Sequence, residues 1–572
     1  MIDVLLRRGR VVDGSGSPSF VADVAVKDGR IIEVGDLPHA RALKVVEAGG
    51  KVVCPGFIDI HSHNDLYVIR DDFRELFRPF LRQGVTTCVV GNCGWSLAPW
   101  PRERSDLMSS TLRSMGVGVG FEPGWETQAE WHGWLRGRGL PLNFVPLAAH
   151  GPIRMAVMGE AARFCGEDEL ARMKEMLGEC MEAGCRGFST GLTYFPGMYA
   201  HTDEIAELAR VAAASGGRYV THVRGHCSTY DQAVAEALEI SRRSGAPLQL
   251  SHVYAVPWLG RWATLLHGAV GAIEALNRVV PLPGLPNPVL KKALELVERS
   301  LQEGLDVGMD HVPYTLGNTT ATQLFPPWAN RGGTDGLLRR LADPAERISV
   351  RRDVERLKPR WPPWEEGCWS DNYLKAVGWR MLYILSVGSE RNRHLQGKGV
   401  WEMARRGGKD PFEWLADLMV EEEGRVTYLF GVPPRPWSER VFAAAYSHPA
   451  MSVGADVVFP EVGVPPQSAY GCFIRAIEHY AGRLRLFSME EAVRRCTGLA
   501  ASRYGLADRG RIRKGAAADL VVFDPERLHD NSLFDDPARY PDGIEMVLVN
   551  GQVVVEGDIY RGDVAAGLLL TA

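Results

Sequence analysis

Eight short apolar runs of β character recur along the middle of the chain, at residues 57–60, 86–90, 143–147, 187–190, 219–221, 248–250, 305–309 and 451–454. Helical stretches at 167–183, 203–213, 230–243 and 288–304 lie between several of them. Alternating strand and helix points to a parallel sheet, and eight such strands predict an α/β chain closed into a (β/α)8 TIM barrel. In that fold the chemical groups sit at the C-terminal ends of strands. The residues just after each run therefore become the candidates.

The first run ends in His61-Ser62-His63, with Asp65 just beyond and a Pro-Gly break before it. Residues i and i+2 of a strand point to one side. His61 and His63 are therefore expected to project together, as metal ligands do, rather than to serve as two polar loop residues. The second run is followed by Gly91-Asn92-Cys93-Gly94. A lone cysteine is usually a small buried residue, but a tight strand-end loop suits a thiolate ligand. The fifth run ends in His222 and the sixth in His252. Each alone reads as a satisfied polar residue; two at matching strand ends favour ligands. The eighth run ends in Asp456, which is either a helix N-cap or a general base, and the base completes the set. These types support metal-assisted hydrolysis. A divalent ion activates water and polarises a carbonyl, Asp456 accepts the proton and returns it to the leaving nitrogen, and Cys93 is suited to bridge two ions.

Composition removes other classes. The 572 residues exceed one simple domain, and a net charge of −5 favours neither nucleic acid nor an anionic membrane. No window is apolar enough to span a bilayer. The opening residues have too short an apolar run for a signal peptide. Ten cysteines without CxxC pairing suggest reduced thiols and a cytoplasmic enzyme. Residues 1–53 alternate short β runs with turns at Asp13-Gly14, Asp28-Gly29 and Gly49-Gly50, which reads as a small antiparallel unit. The C-terminus has the same texture, so residues 1–53 and 500–572 are expected to form one small domain. The barrel then spans 54–347 and 443–499, and an insertion at 348–442 precedes the eighth strand.

Seven motifs, PGFIDIHSHND, GNCGWSLAP, FSTGLTYFPGMYAHTDE, THVRG, LSHV, HPAMSVGAD and DRGRIRKGAAADLVVFDP, occur in an order that resembles the amidohydrolase superfamily, and within it the N-acyl-D-amino-acid deacylases (D-aminoacylases). The resemblance runs nearly the whole length. The Cys93 motif is its most specific part, since most relatives use a carboxylated lysine as the bridge. It implies zinc, hydrolysis of an N-acyl amide, a TIM barrel with a small β-sandwich, and an inserted subdomain closing over the barrel mouth. It implies that Cys93, His222 and His252 hold a tight ion, that His61 and His63 with Cys93 form a weaker second site, and that Asp456 is the general acid/base. Tyr194 matches a family tyrosine near the substrate carbonyl; a packed loop aromatic is its plainer reading.

Three departures bear on substrate. The family's lysine two residues after the sixth-strand histidine is Tyr254 here. Its arginine after the eighth-strand aspartate is missing from residues 457–469, where Gln467 is the nearest candidate. Relatives read HIRDE where this chain has His222-Val223-Arg224-Gly225-His226. Carboxylates are normally held by Arg or Lys, which leaves Arg224 either to bind substrate or to sit in a structural ion pair. His150, ending the third run, reads as a pocket-lining or supporting group; His201 and His226 read as surface histidines or as extra polar groups of the pocket. Residues 258–288 exceed a simple crossover and are expected as a lid, an oligomer contact or a packed surface helix. The tryptophans of the insertion suggest an aromatic substrate wall or simply good packing. Three readings follow: a D-aminoacylase-type hydrolase of a small-molecule N-acyl amino acid; the same machinery on an amide, cyclic amide or carbamate without a free carboxylate; or a non-catalytic barrel assembly protein, disfavoured because all six polar strand-end groups are kept. A homo-oligomer stays open.

Overall fold

The computed structural model describes all residues except 118–120, 257–268, 270, 271, 274, 278–286, 366, 432–438, 441, 442 and 461. The eight expected runs are all strands, and their pairing is parallel throughout. Phe57–Asp59, Val85–Val90 and Asn143–Pro146 pair in that order; Ala148–Ala149 continues the third run and leads through Gly187–Gly191, Arg218–His222, Leu248–Leu250 and Val307–His311 to Met451–Val453. These strands are buried along nearly their whole length, as Val85–Val90 (VTTCVV) illustrates. Burial on both faces is what parallel sheets require.

Hydrogen bonds outside the paired strands complete the ring at two places. The Leu147 N–H donates to the Val90 carbonyl at 3.0 Å, carrying the third run past its break. The Asp456 N–H donates to the His61 carbonyl at 2.9 Å, joining the eighth strand end to the first. Asp59 rivets the same seam: its Oδ1 accepts from the N–H groups of Ala455 (2.9 Å) and His61 (3.2 Å). Gly454 must be glycine there, because a Cβ would lie 2.7 Å from the His61 Cβ. Helices cover the outside. Glu167–Glu182 opens on Glu167, Asp168 and Glu169, which suits a helix N-terminus, and buries Met173, Leu177, Cys180 and Met181 along one face.

The two chain ends share one sheet of nine strands: Ile2–Val11, Phe20–Lys27, Arg30–Gly35, Ala42–Glu47, Val52–Pro55, Leu520–Phe523, Ile544–Val549, Gln552–Glu556 and Ile559–Tyr560. The N-terminal part is mixed rather than antiparallel, since Ile2–Val11 pairs in parallel with Ala42–Glu47 and Val52–Pro55. The chain crosses over between residues 36 and 41 instead of turning back in a hairpin. Ile2–Val11 also joins two runs that look separate in the sequence. A bulge between Leu6 and Gly9 links them, with Arg8 at φ 53°, and a Cβ on Gly9 would strike Val53 at 2.5 Å.

Between the seventh and eighth barrel strands a second sheet is inserted, with Leu316–Thr320 and Leu382–Ser386 both antiparallel to Thr427–Gly431. This layer begins well before residue 348, which lies inside the helix Pro344–Arg356. Leu316–Thr320 (LGNTT) hides from a pattern reading because Gly and Asn lower β propensity. Residues 258–288 lie largely outside the described residues. Among the described residues, no helix is long and apolar enough to cross a membrane.

Candidate metal centre

The strand-end test selects the six residues that converge. His61 Nε2 lies 3.2 Å from the Cys93 sulfur and 3.5 Å from Asp456 Oδ1; His63 Nε2 lies 3.3 Å from the same carboxylate oxygen. The sulfur is 3.7 Å from His222 Nδ1 and 3.6 Å from His252 Nε2. A tetrahedral ion with metal–sulfur near 2.3 Å and metal–nitrogen near 2.0–2.1 Å separates the two donors by about 3.6 Å. Thiol, imidazole and carboxylate form the donor set of a borderline metal such as zinc. The side chains therefore fit a divalent ion as they stand.

The backbone is bent to aim them. Among the described non-glycine residues, Cys93 (φ 53°), His252 (φ 35°) and Asp456 (φ 48°) hold left-handed conformations, each costing about 1–3 kcal/mol. Three such residues in one small cluster mark a site that the surrounding fold over-determines. Gly91 makes the Cys93 turn possible: at φ 81° its Cβ would sit 2.6 Å from the Leu147 carbonyl oxygen. Asn92 Nδ2 donates to the Val89 carbonyl at 2.8 Å and pins the same loop.

Two supporting groups escaped the sequence reading. Asp310, at the end of the seventh strand, lies with Oδ1 3.3 Å from His61 Nδ1, accepts the His252 N–H at 2.7 Å, and takes a hydrogen bond from Gln249 at 3.0 Å. The strand-end rule applied to Met309-Asp310-His311 would have found it. Thr193 Oγ1 lies 2.7 Å from His222 Nε2, leaving Nδ1 to face the sulfur. A carboxylate or hydroxyl behind a ligating histidine fixes its tautomer.

The candidate substrate residues divide. Tyr194 packs against the His222 ring, centroids 4.7 Å apart, and its hydroxyl is 2.8 Å from Thr319 of the inserted sheet. Tyr254 stacks on His226 and reaches Tyr373 through its hydroxyl at 3.1 Å. Arg224 and His150 are engaged elsewhere. Arg224 donates from Nε and Nη2 to the buried Glu236 carboxylate at 3.0 and 3.1 Å. His150 Nε2 faces Glu204 at 2.9 Å, beside Arg154 on the same oxygen. Gln467 donates to the Ser532 carbonyl at 3.0 Å. His226 is fully buried rather than on the surface, because the segment around Ser370 and Asp371 covers its loop. His201 is half-buried and caps the helix Thr202–Ala214.

Residues 44–345 and 392–555 match the Amidohydrolase family. This chain belongs to that family. It is 31% identical over 567 residues to the D-aminoacylase of Alcaligenes xylosoxydans xylosoxydans, covering 99% of this chain and 97% of the relative. A crystal structure of D-aminoacylase, said to define a novel subset of amidohydrolases, superposes with a TM-score of 0.74 at 28% identity and full coverage of both chains. N-acyl-D-glutamate deacylase of Bordetella bronchiseptica, solved with zinc and a phosphonate mimic of the tetrahedral intermediate, gives 0.75 at 27%, again over both full chains. The fold is a (β/α)8 barrel with a small β-sandwich, and the protein is a metal-dependent hydrolase acting on carbon–nitrogen bonds.

Electrostatics in this amidohydrolase follow from crowding. Burial alone would raise the Cys93 thiol, but the charge of His61 and the hydrogen bonds of His222 and His252 bring it well below its ordinary value. Burial works against a charged His63, and Asp456 and Cys93 outweigh it, lifting the imidazole to about 9. His222 goes the other way, to about 3, through burial and the nearby His252. Asp456 is held below the usual carboxylate range: burial opposes ionisation, and His61 and His63 overcome it. Burial pushes Asp59 up to about 7.

Proposed function

We propose that this chain hydrolyses the amide bond of an N-acyl-D-amino acid or a close analogue, with zinc as its metal and Asp456 as general acid/base. When bound, the divalent ion lowers the pKa of water and polarises the carbonyl under attack. His61, His63, Cys93, His222 and His252 would hold it, with one tight ion and a second weaker one. Asp456 takes the water proton at its carboxylate, then gives it to the leaving nitrogen. Tyr194 stands beside His222, where its hydroxyl can donate to the substrate carbonyl oxygen as charge develops. The inserted layer shields the reaction from water. The observation carrying this reading is a single carboxylate oxygen of Asp456 within 3.5 Å of both His61 and His63, whose first member touches the Cys93 sulfur.

A second reading keeps the machinery and changes the substrate to an amide without a free α-carboxylate. The binding of Arg224 to Glu236, of Gln467 to Ser532 and of Tyr254 to Tyr373 favours it. A matched-pair assay separates the two: N-acetyl-D-phenylalanine against its carboxamide, on zinc-loaded enzyme, following acetate release. Faster cleavage of the free acid supports the first reading. Cleavage of the capped compound alone replaces it with the second. Cleavage of neither, with the L-isomers as controls, takes the substrate outside this pair.

A further inference from the structure

His226 is a buried histidine that the proposed hydrolytic machinery does not use, and its surroundings are those of a ligand. Its ring is fully buried, its Nδ1 faces the Asp371 carboxylate, and its Nε2 has no hydrogen-bond partner. Such a group is costly to bury unless something fills its lone pair. Its orientation is fixed from both sides. Tyr254 stacks at 4.6 Å and 16°, and Tyr230 at 5.7 Å and 29°. The backbone is fixed as well: the His226 N–H donates to Asp371 Oδ1 at 2.7 Å, and its carbonyl accepts from Val256 at 2.6 Å.

The wiring repeats that of His61. There, Nδ1 faces a buried carboxylate, Asp310, at 3.3 Å, and Nε2 faces the cluster. In His226, Nδ1 faces Asp371 Oδ2 at 3.7 Å, and Gln323 holds that same oxygen at 3.1 Å. A carboxylate behind one ring nitrogen prepares the other to bind metal. The other side holds two histidines: the His222 centroid lies 4.7 Å away and that of His252 5.2 Å. One donor atom from each of His222, His226 and His252 lies within 4.8 Å of the others. An ion with metal–nitrogen bonds of about 2.0–2.1 Å spans such a set after a small inward shift.

We propose that His226 is a metal ligand, and that His222, His226 and His252 form an all-imidazole position for a divalent ion beside the thiolate. It rests on the reading of His222 and His252 as ligands. The two positions share these histidines, so an ion moves between a sulfur-containing set and a sulfur-free one. Because imidazole suits zinc, copper and nickel alike while thiolate narrows the choice, the sulfur-free position admits a wider range of metals. Asp371 comes from the inserted layer, so the roof of the barrel takes part in holding the metal.

The test begins with the unaltered protein. Crystals soaked in zinc chloride are measured on both sides of the zinc absorption edge. An anomalous peak at bonding distance from His226 Nε2, shared with His222 and His252, is the expected result. Peaks confined to Cys93, His222, His252, His61 and His63 overturn the His226 position and leave the hydrolase reading standing. Peaks away from all of these side chains defeat both. Zinc affinity of Cys93→Ala against Cys93→Ala/His226→Gln, by chelator competition, is the second measure. A weakening of tenfold or more in the double variant is expected; equal affinities overturn the proposal.

Discussion

Two groups of buried polar side chains, one at the strand ends and one between strand ends and the covering helices, are built on opposite rules. In the first, four histidines crowd one sulfur and one carboxylate: His61, His63 and His252 through Nε2 and His222 through Nδ1. In the second, opposite charges meet. Glu204 faces Arg154 and His150, and Glu236 faces Arg224, with all five residues buried. Buried groups that answer one another's charge hold the fold, whereas buried donors that converge on a common point without satisfying each other call for an ion. The same residue types thus divide into function and framework by their partners.

The comparison breaks most visibly at Asp456. Asp456→Asn should lower kcat by about 10²–10⁴-fold with metal content unchanged by elemental analysis; normal turnover would remove the general base. Next comes the framework. Glu204→Ala should cost about 3–5 kcal/mol of stability in denaturant titration, since it leaves Arg154 buried without its counter-charge, while metal content stays the same. An accompanying loss of metal would merge the two clusters into one.

The framework cluster also has a pH signature. Burial opposes a charged Glu204, but His150 and Arg154 prevail and bring it down to about 2. A carboxylate depressed on folding adds stability above its unfolded value and loses it as pH falls towards the folded one. Thermal stability should therefore decline from about pH 4.5 towards 2, and Glu204→Gln should flatten that limb. The smallest expected effect is that of Asp310→Asn, a weakening of metal affinity by roughly 10–100-fold with little change in folding. A variant that binds zinc as tightly as the parent would make Asp310 part of the framework instead.

The first cluster was legible in the sequence and the second was not, for a physical reason. His61, His63, Cys93, His222, His252 and Asp456 each follow an apolar run, and barrel geometry alone sends strand ends to one place. Nothing in the sequence tells Arg224 or His150 from a substrate contact, because their partners Glu236 and Glu204 come from helices whose facing depends on packing. Asp310, at the end of Val307–His311, obeys the same legible rule. His226 breaks it: it stands four residues beyond its run's histidine, and only the tertiary cover of the Ser370–Asp371 segment takes it off the surface. The inserted sheet begins earlier than the sequence suggests because Leu316–Thr320 gains its β structure from pairing with Thr427–Gly431, not from its own composition.

Cobalt titration of the metal-free protein, following turnover and the thiolate-to-cobalt charge-transfer band together, tests the central claim most directly. Turnover and band should rise in step from zero until the first ion is bound, because Cys93 and the water-activating ion belong to one centre. Turnover in the metal-free protein, or activity that returns with no thiolate band, would contradict it.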